Sequence, residues 1–411
     1  VIRPARLTTA PVPRMRRVAD RLQAFRRGRD WRQRAADHPA GITRFTRSRH
    51  QIAFGVCPLR AAVGTRLALS VATESRSGRM MLQERSKLAR RICQESKMPR
   101  TYIAFALLAL GLSATTARAA DTQAYFNLHD LGHGVWAAIS PPKSKAGANA
   151  GFVIGPDGVL VIDTFEDPAA AKAMLAAIRT KTRAPIRNVI DTHYHLDHTA
   201  GNDVFAAAGA TVMAQRNVRT WERSQNLKFF GAHPTAKQKR MVGALGLPPL
   251  TYEDGVTIWL GNRKIIVRTL EGHTGGDSTV IVPDAKVVFT GDLFWNHTLP
   301  NLIDANTREQ IASNDTYLHD YPDATFVPGH GDIGRSADVR EFRDYLATLR
   351  QAVAGARTAG KSGEALVDDV LPSLERKYGR WNWFKYFARH NVEQTAAELQ
   401  GTKRVPVPGV P

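Results

Sequence analysis

From residue 121 onward, short apolar runs alternate with segments of helical spacing. The runs at 134–139, 151–154, 158–163, 187–191 and 211–214 predict strands, and Val159-Leu-Val-Ile162 is continuous enough for a strand buried on both faces. Between them, 168–181 predicts a helix opened by Pro168, where the missing N–H costs little. A second, short helix is predicted at 200–208, and the less regular stretches 217–230 and 235–245 also read as helical. Two hairpins follow. One joins 256–260 to 264–270 through Gly261-Asn262-Arg263, and the other joins 278–282 to 286–290 through Pro283-Asp284-Ala285. A helix at 307–319, a strand at 325–328 and helices at 337–356, 363–377 and 391–400 complete the chain. Mixed strands, hairpins and covering helices predict layered α/β packing. No linker rich in Pro, Gly or Ser divides this body, so 121–335 reads as the main domain and 336–411 as a helical segment packed on it.

The pattern upstream is different. Residues 103–114 form a twelve-residue apolar run behind Met98-Pro-Arg, and Ala117-Arg118-Ala119 supplies a small-x-small cleavage signal. A membrane span needs about 20 apolar residues, so 98–120 reads as a secretory signal peptide. The expected location is periplasmic or secreted, with no stable membrane span. Residues 1–97 show no sustained periodicity and read as an upstream extension, either disordered or not part of the native protein.

Charge sharpens that division. The whole chain carries a formal +20, which alone suggests a nucleic-acid partner. Residues 1–97, however, hold 23 Lys and Arg against 6 Asp and Glu, whereas 121–411 hold 32 against 31. Both cysteines, Cys57 and Cys93, also lie upstream. The balanced body has no broad field for tracking phosphates, so nucleic acid is not expected as a partner of the mature domain. A basic nucleic-acid-binding arm and an Arg-rich transit peptide are the rival readings of 1–97.

Candidate chemistry concentrates after the 187–191 strand, in His193-Tyr-His-Leu-Asp-His198. Four potential metal ligands in six residues is a dense set. Three more stand at predicted strand ends, each on a glycine-rich loop: His273 in Glu271-Gly-His-Thr-Gly-Gly276, Asp292 in Thr290-Gly-Asp-Leu-Phe294 and His330 in Val327-Pro-Gly-His-Gly331. A lone loop histidine is weak evidence, but this conjunction indicates a metal centre. Imidazole and carboxylate donors without thiolate suit Zn, Fe or Mn.

These residues, in this order, resemble the metallo-β-lactamase superfamily over about 125–335, with Asp163 at the end of Val159-Leu-Val-Ile-Asp163 matching an early strand signature. The resemblance implies an αββα sandwich with the metals at one edge. It implies one ion on His193, His195 and His273, a second on Asp197, His198 and His330, and Asp292 between them. Two Zn²⁺ are expected, with Fe or Mn compatible. The implied activity is hydrolysis of a small-molecule carboxylic ester, thioester, lactone or lactam by a hydroxide shared between the ions. Asp197 is the candidate catalytic carboxylate, to ligate and relay a proton.

An Asp at 292 resembles glyoxalase II-type thioesterases and lactonases rather than β-lactamases proper, which place Cys or Ser there. A β-lactamase, an iron-dependent sulfur dioxygenase and nucleic-acid binding through the basic extension are the alternatives. Asp163, Asp191 and Thr192 are candidates to hold the ring nitrogens turned away from metal. Tyr194 and His297 are candidate pocket residues. Trp221, Phe229 and Phe230 could cover the mouth, and the aromatic run 381–387 reads as a packing segment.

Overall fold

Residues 124–408 and 410 are described by a computed structural model of the chain. The expected extension (1–97) and signal peptide (98–120) lie outside the described residues.

The first sheet has seven strands in sequential order. Its antiparallel part is β1 (Asn127–Asp130), β2 (Val135–Ile139), β3 (Ala150–Ile154) and β4 (Val159–Ile162). Parallel pairing then joins β4 to β5 (Ile186–Asp191), β6 (Thr211–Gln215) and β7 (Leu250–Tyr252). The β4–β5 crossover is helix α1 (Pro168–Lys181), capped by the Asp167 carboxylate, which accepts from the Ala169 N–H at 2.8 Å. Short helices α2 (Leu196–Thr199), α3 (Asn202–Ala207), α4 (Arg216–Gln225) and α5 (Ala236–Gly243) occupy the later connections.

The second sheet has five strands, ordered β12-β11-β10-β9-β8. It contains β8 (Gly255–Leu260), β9 (Arg263–Thr269), β10 (Ser278–Val282), β11 (Val287–Trp295) and β12 (Thr325–His330), with β11 and β12 parallel. Four helices follow or interrupt it: α6 (Thr307–Asp320), α7 (Ser336–Thr358), α8 (Gly363–Tyr378) and α9 (Phe384–Gln400).

Strand alternation sorts the apolar residues into layers. Val153, Leu160 and Ile190 of the first sheet meet Val280, Phe289 and Val327 of the second in a core between the sheets. Phe152, Val161 and Val189 face the other way, towards Met174 and Ile178 of α1. Ile281, Val288 and Phe326 turn outward against Tyr317 of α6, Phe342 of α7, Leu366 of α8 and Val392 of α9. The result is the expected αββα sandwich. Each fully buried large aliphatic here is worth about 1.5–3 kcal/mol relative to exposure.

Several boundaries depart from the pattern. β11 runs through Trp295, past the expected end at Thr290, and β12 reaches His330. Asp292 and His330 therefore lie within strands, not on loops beyond them. Register shifts on β11 at Phe289/Gly291 and Gly291/Trp295 accommodate the glycine, whose φ is +51°. The 217–230 stretch breaks at Asn226 into α4 and a 3-10 turn, Asn226–Phe230. The last helix begins at Phe384 rather than 391. β1 and β7 were not expected: β1 is largely exposed and β7 has three residues, so neither shows a readable alternation.

No helix among the described residues is long and apolar enough to cross a membrane.

Candidate metal centre

Strands β4, β5, β11 and β12 deliver their C-terminal ends to one edge of the sandwich. Asp163 follows β4, the 193–198 cluster follows β5, Asp292 rides on β11, and His330 ends β12. His273 joins from the β9–β10 connection. The ligand atoms form two groups, His193/His195/His273/Asp292 and Asp197/His198/His330, with the atoms of each group within 4.8 Å of one another.

Asp292 faces both groups with different oxygens. Its Oδ2 lies 3.1 Å from His273 Nε2 and 3.6 Å from His193 Nε2. Its Oδ1 lies 3.2 Å from His198 Nε2 and 3.5 Å from His330 Nε2. Asp197 Oδ2 completes the second group, 3.3 Å from His330 Nε2 and 3.7 Å from His198 Nε2. In the first group, His195 Nδ1 and His273 Nε2 are 3.0 Å apart.

The donor set fits divalent ions. Nε2 of His193, of His198 and of His330, together with Asp292 Oδ1, are buried without a hydrogen-bond partner. Orphaned buried polar atoms are costly, and here they converge on two shared points. Nitrogen and carboxylate oxygen without sulfur is a set that Zn, Fe and Mn accept.

Electrostatics in the metal-free cluster reflect this crowding. Burial alone would raise the Asp197 carboxyl, but the charges of His198 and His330 outweigh it and hold it at about 2. Burial likewise opposes ionisation of Asp292, and the surrounding imidazoles, His330 foremost, overcome it and push it well down. His193 is pushed well down by burial and by the neighbouring His198.

Partners behind the ligands fix ring orientations. Asp163 Oδ2 is 2.8 Å from His198 Nδ1 and accepts from the Thr192 hydroxyl at 2.8 Å, while Oδ1 accepts from the Thr192 N–H at 2.8 Å. The Thr192 hydroxyl in turn lies 3.2 Å from His193 Nδ1. His195 Nε2 is 3.2 Å from Asp304 Oδ2. Asp277 accepts the backbone N–H of His273 at 2.8 Å and that of Thr274 at 2.8 and 3.0 Å, which shapes the turn carrying His273.

All seven expected ligands are thus brought together, and Asp163 and Thr192 contact ligand rings. Asp191 does not. It is wholly buried at the end of β5, where it accepts from Asn202 Nδ2 at 2.9 Å, and it belongs to the support of that strand. Tyr194 is not a pocket residue either. Its ring is fully buried behind His195, and its hydroxyl donates to Asp304 and accepts from Lys228 at 2.9 Å. His297 does line the cleft and pairs with Glu341 at 3.0 Å.

Phe229 lines the cleft against His195 with ring centres 4.9 Å apart, but Trp221 is buried and donates to the backbone of Val407 and Val410. The 381–387 run is divided. Trp381 and Phe384 pack inward, as expected, while Trp383 and Phe387 line the cleft.

Asp304, Lys228, Asp277 and Asn226 were not anticipated. Asn226 clasps the ligand loop, accepting from the Leu196 N–H at 2.9 Å and donating to the Tyr194 carbonyl at 2.8 Å. Asn226 lies inside a stretch that reads as one continuous helix and left no local signal. Asp304 sits in an irregular stretch with none.

The family model for the Metallo-beta-lactamase superfamily matches residues 145–330. The chain is 22% identical over 293 residues to a linear primary-alkylsulfatase of Pseudomonas sp. (strain ATCC 19151), covering 59% of this chain and 54% of that protein. It is 30% identical over 108 residues to a hydroxyacylglutathione hydrolase of Brucella anthropi, covering 26% and 33%. It is 26% identical over 198 residues to a metallo-beta-lactamase type 2 of Bacillus sp. (strain 170), covering 46% and 68%. The chain therefore spans about half the length of the alkylsulfatase and a third of the hydroxyacylglutathione hydrolase. Among solved structures, a metallo-beta-lactamase from Pontibacter korlensis aligns with 21% identity and a TM-score of 0.46, covering 54% of this chain and 99% of that one.

Proposed function

The chain belongs to the metallo-beta-lactamase superfamily, and from that premise we propose that it is an exported dinuclear metal-dependent hydrolase of a small carboxylic ester, thioester, lactone or lactam. His193, His195 and His273 would hold one ion, Asp197, His198 and His330 the other, with Asp292 serving both. The observation that carries this reading is the Asp292 carboxylate, one oxygen turned to each group of imidazoles. Zn²⁺ is the favoured ion, and bound ions supply Lewis acidity and lower the pKa of water towards about 7.

The chain's own residues supply position and proton control. Asp163 and Thr192 hold the His198 and His193 rings, and Asp304 holds His195. Asp197 has the only side chain of the seven with appreciable exposure to the cleft, 28%. One oxygen would ligate beside His198 and His330, and the carboxylate is the group through which a proton would pass to or from the cleft.

A second reading, hydrolysis of a primary alkyl sulfate, is favoured by the 293-residue similarity to the alkylsulfatase, which is longer than the segment the family model covers.

One experiment tests both. Metal per chain is quantified, and hydrolysis is followed on a thioester, a lactone, a carboxylic ester, a β-lactam and a primary alkyl sulfate. The expected result is two ions per chain and turnover of a carboxylic substrate that chelation removes and Zn²⁺ restores, with no restoration in His195→Ala. Turnover of the alkyl sulfate alone would establish the second reading. A fully loaded protein that turns over none of the five would overturn both.

A further inference from the structure

The cleft over the ligand cluster has a volume of about 440 Å³. Two aromatic side chains meet the outermost imidazoles from separate elements. Phe229 stands edge-on to His195 at 4.9 Å, and Trp383 lies against His330 at 5.2 Å. Trp295 lies tilted against the same His330 ring at 4.0 Å and meets Trp383 at 5.6 Å. Phe387, one helical turn beyond Trp383, continues that wall at 5.8 Å. Trp383 and Phe387 lie in the C-terminal segment, beyond the residues the family model matches.

Trp383 is held there at a conformational cost. Its φ of +61° and ψ of +12° place it in the left-handed region, an outlier for a bulky side chain. The preceding residue enforces it. The Asn382 N–H donates to the His297 carbonyl at 2.9 Å, and its carbonyl accepts the Leu299 N–H at 2.9 Å. This stitches the start of α9 to the chain leaving β11. Trp381, two residues before Trp383, is anchored among Tyr345 and Tyr378. With the chain leading into it fixed, the indole is turned back over the cleft and left 37% exposed. The strain is not needed to bury the ring, because the ring is not buried. It aims an apolar face at the space beside the second metal group.

We propose that Trp383, continued by Phe387, is a specificity-determining platform that selects substrates whose acyl part carries an aryl group. This rests on the hydrolase reading above. A flat ring between the Trp383 and Phe229 walls is the occupant such surfaces favour, because aromatic pairs gain from offset and edge contacts beyond area alone. An acetyl group would reach the ligand cluster without covering either wall.

The test compares a phenylacetyl thioester with the acetyl thioester of the same thiol, in the parent, Trp383→Ala and Trp383→Phe. The readout is the ratio of kcat/KM for the two substrates, which cancels losses common to both. The parent is expected to prefer the phenylacetyl group by about tenfold or more. Trp383→Ala should collapse that ratio, and Trp383→Phe should retain most of it. An unchanged ratio in Trp383→Ala, or a parent without preference, overturns the platform. Binding of phenylacetate to the full chain, read by ligand-detected NMR in chelator, gives a second readout independent of turnover. It should weaken in Trp383→Ala and persist in Trp383→Phe, and equal binding by all three overturns the platform even if no thioester is cleaved. Absence of turnover with Trp383-dependent binding would instead count against the hydrolase reading alone.

Discussion

Gly329 and Asp292 occupy neighbouring positions on the parallel strands β12 and β11, and there is no room between them for a side chain. A Cβ on Gly329 would fall 1.8 Å from Asp292 Oδ1, the oxygen turned towards His198 and His330. It would also lie 2.9 Å from the backbone carbon of Gly291. The glycine immediately before His330 is therefore what lets the shared carboxylate lie between the two groups.

Gly329→Ala should accordingly cost metal before it costs the fold. Asp292 must rotate away, so both groups lose a donor. The expected outcome is a fall from two bound ions per chain to one or none, by elemental analysis, with a far-ultraviolet circular dichroism spectrum close to the parent's. Full loading in the variant would show that Asp292 is not shared.

Asp163 lies behind His198 as Gly329 lies beside Asp292. It adopts a left-handed φ of +57° and is buried, with its two oxygens spread over Thr192 and His198. Removing such a partner of a ligating histidine typically lowers metal affinity by about 10–100-fold. Asp163→Asn should do so for the Asp197/His198/His330 group and leave His193/His195/His273 less affected. Competition titration with a chromophoric chelator resolves the two steps, and two unchanged steps would contradict this role.

The ligand set was legible in the sequence because it is dense and local. Six consecutive residues contribute four ligands, and glycines flank the other three. The layers were legible for a similar reason, since Val159–Ile162 and Ser278–Val282 are apolar enough to be buried strands in any α/β arrangement. What surrounds the site was not. Asp304 reaches His195 across 109 residues, and Asn149 donates to the carbonyls of Pro328 and Gly331 across 179 and 182. Such contacts are created by the fold and leave no local pattern. Tyr194 misled because adjacency to ligands suggested the cleft, whereas alternation on an extended loop turns it the opposite way from His193 and His195. The 381–387 run misled because aromatic content alone does not separate Trp381, which packs, from Trp383, which strained backbone turns outward.

Asp304 gives a third prediction. It is buried and gathers His195, the Tyr194 hydroxyl and the Lys228 ammonium, at 2.5 Å for Lys228. Asp304→Ala leaves a buried hydroxyl and a mostly buried ammonium without their acceptor, which costs about 1–3 kcal/mol. It also frees the His195 ring. Urea unfolding in chelator should report the stability loss, and metal titration the weakened first group. A double variant with Lys228→Met should recover part of the stability but none of the affinity, since only the carboxylate orients the ring. Recovery of both would assign Asp304 to charge pairing with Lys228 alone.

The last prediction concerns pH and lies behind the site, at Glu222. This residue of α4 is fully buried, and both carboxylate oxygens lack a hydrogen-bond partner. Burial pushes its pKa from 4.5 to about 8. Asp191 is also pushed well up, by burial first and by the charge of Glu222 second. In the native state Glu222 therefore keeps its proton at neutral pH, whereas in the unfolded chain it loses it above about 4.5. Between those values the native state binds more protons, so stability falls as pH rises. The contribution is fully present below 4.5 and is lost as pH passes through about 8. Glu222→Gln keeps the shape and removes the titration, so its unfolding free energy should decline less across pH 5 to 9 than the parent's. Measuring both in chelator and taking the difference cancels the histidines and aspartates of the metal centre, which the two proteins share. Parallel pH profiles would mean that Glu222 is ionised in the folded protein and has a partner among its neighbours.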